Sequence, residues 1–309
     1  MEKKVMIAID DSFYSKKAME YAAAIGSLVK ELRYVLFHVQ PKISEFLVED
    51  SRTDPKAVAA LRNVKRQNRA RSNNILEEAH AYLSKKGVDE RHIEIVSEPY
   101  RRGTARSILH YGAKVSCNAV IIGHRGVSRL AESFVGSVAN SVLAYTKTMP
   151  VWAVGGSPKT QKIMVAIDGS ESALRAVAHV ARMTSGNPSA KITLFHVTPR
   201  LRDYCTVDFE ADKEAIEEVI SRGDKKCVDD FYVHAKHQFE KAEIKRDQII
   251  IREVGSTMSI GKSIVNEARE GEFGTVVVGR SGLNKSFFIG SVSQFVINQA
   301  SNCAVWMVP

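Results

Sequence analysis

The chain has 309 residues, of which 44% are hydrophobic and 26% are charged, and its formal net charge is +9 at pH 7. This is enough for two ordinary globular cores. No stretch approaches the roughly 18 apolar residues of a membrane span, and the first apolar run, Val5 to Ile9, is too short for a signal-peptide core. We therefore expect a cytoplasmic protein without a membrane segment.

The cysteines are scattered along the chain, without the close pairs that zinc or redox sites need. We expect all of them to be reduced thiols. They are Cys117, Cys205, Cys227 and Cys303.

The first half alternates short apolar strands with helical segments. Because these runs are continuously apolar rather than alternating, they predict a parallel sheet covered by helices on both faces. The predicted strands are Lys4–Ile9, Tyr34–Val39, Ile93–Val96, Ala119–Ile122 and Val151–Val154.

The positive charge is concentrated in a polar helical stretch of the first half. Such a stripe could contact nucleic acid or an acidic partner. Because no stacking aromatics or groove-reading motif accompany it, we interpret it as a solvated helix face and expect no nucleic-acid ligand. Its residues are Lys56, Arg62, Lys65, Arg66, Arg69 and Arg71.

The matching stretch of the second half is acidic, so the fold itself needs neither charge, although each could steer a partner. The acidic residues are Asp208, Glu210, Asp212, Glu214, Glu217 and Glu218.

The second half repeats the strand order of the first, after a breaker-rich junction at 155–159. The repeat is offset by 158 residues at Asp10 and Asp168 and by 154 at Trp152 and Trp306, as small loop deletions would produce. A repeat of this length is a whole domain. The predicted strands are Ile163–Ile167, Ile192–Val197, Ile249–Val254, Val276–Val278 and Ala304–Val308.

These patterns predict two tandem α/β domains of the doubly wound class, each with a five-stranded parallel sheet. We place the domains at residues 1–155 and 161–309, with a linker at 156–160. Ligands of such sheets bind outside the carboxyl ends of the strands, where the strand order reverses. Asp10 ends the first strand and Gly123 the fourth, so we expect them to face one crevice, as Asp168 and Gly279 would in the second half.

A glycine turn follows the fourth strand of each half and leads to a Gly-Ser step before a helix. Absent side chains let backbone N–H groups approach an anion, and a helix amino end adds partial positive charge. Either turn alone is a weak signal, but their recurrence at matching positions strengthens it. The predicted helices are Val138–Tyr145 and Val292–Ala300.

The chain resembles the universal stress protein family in its tandem form, over both halves. The resemblance rests on the Val-Ala-Ile-Asp-Gly-Ser type opening, the Phe-His-Val strand ends and the loop Gly-x2-Gly-x9-Gly-(Ser/Thr). It implies the fold named after adenine nucleotide alpha hydrolases. In ATP-binding members the aspartate lies near the sugar and phosphates, and the second-strand valine contacts the adenine through its backbone. These roles would fall on Asp10 and Val39, with ribose and phosphates on Gly123, Gly126, Gly136 and Ser137.

The second half departs from the family spacing, because seven residues rather than nine separate Gly282 from Gly290. This shorter loop could close on a nucleotide with fewer phosphates or stay empty. The candidate residues there are Asp168, Val197, Gly279, Gly282, Gly290 and Ser291. Asp10 could also help to hold Mg²⁺ beside the phosphates, since that ion keeps most of its waters.

Other motifs have plainer interpretations. Gly261-Lys262-Ser263 resembles the end of a Walker A loop but lacks its first glycine, and we interpret it as a first helical turn. His38 and His196 end equivalent strands, and we interpret both as hydrogen-bonded structural residues. For His124, in the glycine turn, contact with phosphate and simple exposure are both open.

Trp152 and Trp306 mark the fifth strand of each half, and an apolar edge strand invites pairing. In the family this strand is the usual dimer contact, so the resemblance implies an intramolecular pseudo-dimer, and a further homodimer is possible.

We expect a stress-response sensor or regulatory module that binds ATP or another adenine nucleotide and acts on an unidentified signalling partner. The sequence supplies no attacking-water base, arginine finger or paired nucleophile, so we assign no catalytic residue. Two alternatives stay open: a slow Mg-dependent ATPase and a nucleotide-free scaffold for other proteins.

Overall fold

The computed structural model describes residues 2–124, 137–157, 160–200, 203, 213–256, 259–282, 289–300 and 302–309. In the first half the elements are β1 (Lys3–Ala8), α1 (Phe13–Ile25), β2 (Leu32–Val39), α2 (Glu45–Asp50), α3 (Pro55–Lys85), β3 (Ile93–Glu98), α4 (Thr104–Lys114), β4 (Ala119–Gly123), α5 (Ser137–Tyr145) and β5 (Val151–Val154).

The second half repeats this order without a counterpart of α2 among the described residues. Its elements are β6 (Ile163–Ile167), α6 (Glu171–Thr184), β7 (Ile192–Thr198), α7 (Lys213–Lys241), β8 (Ile249–Gly255), α8 (Ile260–Glu270), β9 (Thr275–Gly279), α9 (Ser291–Gln299) and β10 (Ala304–Val308). The predicted strands are therefore present, and their ends differ by no more than two residues.

The strands of the described chain form one sheet in the order β3-β2-β1-β4-β5-β10-β9-β6-β7-β8. Pairing is parallel within each half, and the pair β5–β10 is antiparallel. The strand order reverses between the neighbouring strands β1 and β4 in the first half, and between β6 and β9 in the second. The prediction of parallel α/β halves is confirmed, and their two sheets are continuous with one another.

The two halves meet at a buried pair of tryptophans. Trp152 on β5 lies opposite Trp306 on β10, and their rings stack with centroids 3.9 Å apart and an interplanar angle of 3°. The Trp152 indole N–H donates to His179 Nε2 at 3.1 Å, and the Trp306 N–H donates to the Tyr21 hydroxyl at 2.8 Å. Each tryptophan thus bonds a helix of the opposite half. Stacking and satisfied N–H groups let two large aromatics be fully buried.

Within the described part of the chain, no helix is long and apolar enough to cross a membrane.

Candidate nucleotide site

The turn between β1 and α1 is built by the side chains of Asp10 and Ser12. The Ser12 N–H donates to Asp10 Oδ1 at 3.0 Å, and the Ser15 N–H donates to Ser12 Oγ at 3.1 Å, which caps α1. Asp10 is exposed at the carboxyl end of β1. The local sequence Asp-x-Ser therefore fixes one carboxylate oxygen and leaves the group facing solvent.

Asp10, Val39 and Gly123 line one pocket of about 550 Å³, although Asp10 and Gly123 are 113 positions apart. β4 and β2 both pair with β1, which brings their carboxyl ends to the same edge. Val138 and Ala139, in the first turn of α5, lie on the same pocket. A helix amino end and a strand-end carboxylate thus share one crevice.

The pocket also contains three hydroxyl side chains that sequence reasoning did not assign to it, those of Ser12, Ser15 and Thr104. The repeated Asp-x-Ser at Asp10 and Asp168 was a signal for Ser12. Nothing in the sequence pointed to Thr104, which lies at the start of α4 after Gly103, whose φ is +95°.

Gly123 has a structural reason to be glycine. A Cβ added there would overlap the backbone of Tyr14, in the first turn of α1. Gly279 is equivalent, since a Cβ there would lie 2.6 Å from Ser172 Oγ. Both glycines let a helix approach the end of a strand, so their recurrence follows from packing alone. Gly126 and Gly136 lie outside the described residues, and of Ser137 only the start of α5 is described.

The histidines near the pocket have buried rings. His38 Nδ1 lies 2.7 Å from the Ile9 carbonyl oxygen and donates to it, which confirms the structural interpretation. His124 is only 2% exposed, and burial lowers its pKa. The expectation that His124 could be simply exposed is therefore wrong, because the ring packs into the interior. Its counterpart Arg280 donates from Nη2 to the Ala144 carbonyl oxygen at 3.0 Å, across the boundary between the halves.

The second half repeats the hydrogen bonds of this turn. The Ser170 N–H donates to Asp168 Oδ1 at 3.1 Å, and the Ala173 N–H donates to Ser170 Oγ at 3.1 Å. Asp168 lies against Gly282, where an added Cβ would be 2.9 Å from Asp168 Oδ2. The structure therefore brings the strand-end aspartate and the glycine turn together here.

In the second half a hydrogen bond joins the two described ends of the glycine loop. The Gly290 N–H donates to the Arg280 carbonyl oxygen at 2.8 Å, and Gly290 precedes Ser291, the first residue of α9. Val197, the counterpart of Val39, is 4% exposed, whereas Val39 is half-buried and lines the first pocket.

Two residues of helix α7 lie over this turn and the end of β7. Asp224 Oδ2 lies 2.9 Å from His196 Nε2, and His196 Nδ1 lies 3.0 Å from the Ile167 carbonyl oxygen. The Cys227 thiol lies over Gly169, where a Cβ would be 2.5 Å from Sγ. Gly169 has φ +77°, a conformation that disfavours side chains.

The Walker-like sequence is the first turn of α8, as expected. Ser259 caps that helix by accepting from the Lys262 N–H at 3.4 Å, and Gly261 packs against the Phe295 ring. Among the described residues, no group of three or more His, Cys, Asp or Glu side chains is arranged to hold a metal ion. Cys117, Cys227 and Cys303 are free thiols, and Cys205 lies outside the described residues.

Comparison with known proteins assigns the family. The sequence model of the universal stress protein family (Usp) matches residues 1–155 and 159–309. Universal stress protein YxiE of Bacillus subtilis is 28% identical over 156 residues, which are 50% of this chain and 99% of that protein.

Two crystal structures share the fold over the whole chain. A universal stress protein from Archaeoglobus fulgidus DSM 4304 has a TM-score of 0.63 at 18% identity, covering 99% of this chain and 97% of its own. A protein of unknown function from Pseudomonas aeruginosa PAO1 has a TM-score of 0.56 at 14% identity, covering 99% and 92%. The chain belongs to the universal stress protein family and carries two copies of its domain.

Proposed function

We propose that the first half binds ATP or another adenine nucleotide, and that the protein acts by this binding as a sensor or regulatory module of a stress response. The observation that carries the proposal is the pocket of about 550 Å³ in which Asp10, Val39 and Gly123 meet.

The residues of this pocket suit a nucleotide. The amino end of α5 and the hydroxyls of Ser12, Ser15 and Thr104 are donors for phosphate and ribose oxygens. Val39, at the end of β2, offers a half-buried apolar contact for a base. The exposed Asp10 carboxylate can take a Mg²⁺ ion that keeps most of its waters, and such an ion would neutralise phosphate charge.

Binding rather than turnover is the proposed activity. Among the described residues that line the pocket, Asp10 and His38 have ionisable side chains, and His38 donates its Nδ1–H to a backbone carbonyl. The alternative is a slow Mg-dependent ATPase that uses Asp10.

We further propose that only the first half takes nucleotide, because Asp224 and Cys227 of α7 lie over the equivalent turn of the second half. In this proposal residues 1–155 and 161–309 are the two domains. They pack in the cytoplasm as an intramolecular pseudo-dimer through β5 and β10.

Native mass spectrometry of the freshly purified chain tests the proposal. We expect one adenine nucleotide per chain, and at least a tenfold weaker affinity for ATP in Asp10→Ala by calorimetry. Asp168→Ala is the matched control at the equivalent turn and should keep the wild-type affinity.

Two nucleotides per chain would contradict single-site binding, and an unchanged affinity in Asp10→Ala would contradict the site. No binding of ATP, ADP or AMP at micromolar concentration would favour the scaffold alternative. Single-turnover hydrolysis that Asp10→Ala abolishes would establish the ATPase.

A further inference from the structure

A second and larger groove of about 1990 Å³ lies beside the candidate pocket on the first half. Helix α3, the segment after β2 and the loop after β3 form its walls. The groove begins where the pocket ends, because Gln40 follows Val39 and Gly103 precedes Thr104. We call it the basic groove.

The basic groove carries an excess of positive charge. The described residues that line it include five basic side chains and one carboxylate, Glu45, which pairs with Lys42 at 2.8 Å. Across the described ranges, the other four basic residues make no salt bridge at 4.0 Å or less. These four are Lys65, Arg69, Arg101 and Arg102. Their charge is therefore available to an anionic ligand.

The basic groove also offers apolar surface and a sheet edge. Ile95 on β3 is 43% exposed and Val48 on α2 is 40% exposed, and both line it. β3 is the end strand of the described sheet, so its outer edge is unpaired there. Exposed apolar side chains beside a strand edge are typical of surfaces that take an extended peptide.

The same lining argues against single-stranded nucleic acid. Sites for such strands stack successive bases on several aromatic side chains, whereas Tyr100 is the one aromatic side chain among the described residues that line the groove. Positive charge with aliphatic side chains instead matches a peptide in which acidic and apolar residues alternate.

We propose that the basic groove is a docking site for an acidic peptide segment of a partner protein, whose carboxylates pair with Lys65, Arg69, Arg101 and Arg102. Its apolar side chains contact Ile95 and Val48. The site stands independently of nucleotide binding, since none of these residues lines the candidate pocket.

Fluorescence anisotropy with the full-length protein tests this docking. The probe is a labelled nine-residue peptide of alternating Glu and Val, compared with a Lys-Val peptide and with nonaglutamate. We expect Glu-Val to bind at least tenfold more tightly than Lys-Val and more tightly than nonaglutamate. Its affinity should fall as NaCl rises from about 50 to 500 mM, since salt screens exposed charges.

Lys65→Glu/Arg69→Glu should weaken Glu-Val binding at least tenfold. The control Lys225→Glu/Lys226→Glu makes the same change of charge on exposed positions of α7 and should stay within twofold of wild type. A second variant, Arg101→Gln/Arg102→Gln, probes the loop wall without touching a helix. It should weaken binding severalfold.

Three results would overturn the proposal. They are equal binding of the Glu-Val and Lys-Val peptides, unchanged affinity in both groove variants, and tighter binding of a nine-nucleotide RNA than of Glu-Val. Concentration-dependent dimerisation that the Lys65→Glu/Arg69→Glu change abolishes would assign the groove to a second copy of the chain instead.

Discussion

Asp10 and Asp168 end equivalent strands and accept equivalent hydrogen bonds, yet their surroundings differ. Asp10 is exposed above an open pocket, whereas Asp168 is half-buried against Gly282. The hydrogen bond from the serine N–H to the aspartate Oδ1 is 3.0 Å long in the first turn and 3.1 Å in the second. The two turns differ at their middle residue, because Gly169 has φ +77° whereas Asp11 has no positive φ, and they also differ in the side chains packed over them.

Those side chains come from the long helices α3 and α7. The two helices can be aligned by a backbone hydrogen bond that recurs at their carboxyl ends. The Leu83 carbonyl oxygen accepts from the Val88 N–H, and the Phe239 carbonyl oxygen accepts from the Ile244 N–H, 156 residues further along the chain. The same offset makes Arg71 the counterpart of Cys227, since 71 plus 156 is 227.

Arg71 extends through solvent to Asp11 at 2.6 Å, while Cys227 packs directly onto Gly169, the counterpart of Asp11. Asn68 is likewise the counterpart of Asp224, which reaches His196. A few substitutions on one helix thus distinguish a covered crevice from an open one.

Exchanging the middle residues of the two turns should have the largest effect on the free energy of unfolding. Gly169→Asp should lower the free energy of unfolding by about 3 kcal/mol. The left-handed backbone costs a non-glycine residue roughly 1–2 kcal/mol, and the overlap with Cys227 Sγ adds roughly 1–3 kcal/mol. The reverse change, Asp11→Gly, should cost less than about 1 kcal/mol because it removes only an exposed ion pair.

Urea unfolding measures both changes. Adding Cys227→Ala to Gly169→Asp should recover the part of the loss that comes from overlap. Equal losses in Gly169→Asp and Asp11→Gly would show that α7 does not press on the second turn.

Removing the Asp224 carboxylate, which contacts His196, should have the next largest effect on the free energy of unfolding. Asp224→Ala leaves His196 Nε2 buried without this partner, and a lost hydrogen bond to a charged group should cost about 2 kcal/mol. Asn68→Ala on α3 is the matched control. It removes a bond to the Pro41 carbonyl oxygen at 3.3 Å and should cost under about 1 kcal/mol.

Guanidinium unfolding of the two variants at pH 7 provides this test. A cost for Asp224→Ala no greater than that for Asn68→Ala would mean that the contact with His196 contributes nothing to the closed crevice.

The strand pattern was predictable because buried parallel strands are short apolar runs. The strands Val151–Val154, Ile163–Ile167 and Ala304–Val308 begin and end where the sequence places them. The fourth strand of each half was predicted too short at its carboxyl end, because a glycine in that position indicates a turn. Gly123 and Gly279 nevertheless still pair in the sheet. The shared crevice of Asp10 and Gly123 followed from one rule of parallel sheets.

The covering of the second crevice was not predictable. Asp224 is 28 residues from His196, and Cys227 is 58 residues from Gly169, with no motif joining either pair. The shortened loop after Gly282 raised the question of an empty site, but α7 could not be placed from a helical pattern. The hydrogen bonds of Trp152 and Trp306 to helices of the opposite half were not predictable either, because they depend on how the two halves pack together.

The last comparison concerns the junction between the halves, where Tyr21 and His179 occupy equivalent positions, 158 residues apart. Of these two side chains, only the His179 imidazole can gain a proton in acid. Burial lowers the pKa of His179 to about 3, against about 6.5 in an unfolded chain. Below pH 6.5 the unfolded chain binds a proton that the folded protein does not, so stability falls as pH falls from about 6.5 toward 3. Between pH 7 and 5 the free energy of unfolding should therefore fall by about 2 kcal/mol.

Urea unfolding of His179→Gln tests this pH dependence. Because glutamine stays neutral, the variant should lose about 2 kcal/mol less than the wild type between pH 7 and 5. Tyr21→Phe is the control, since burial raises the pKa of Tyr21 and its cost should be equal at both pH values. If His179→Gln kept the wild-type dependence on pH, the buried imidazole would not be a source of acid sensitivity at the junction.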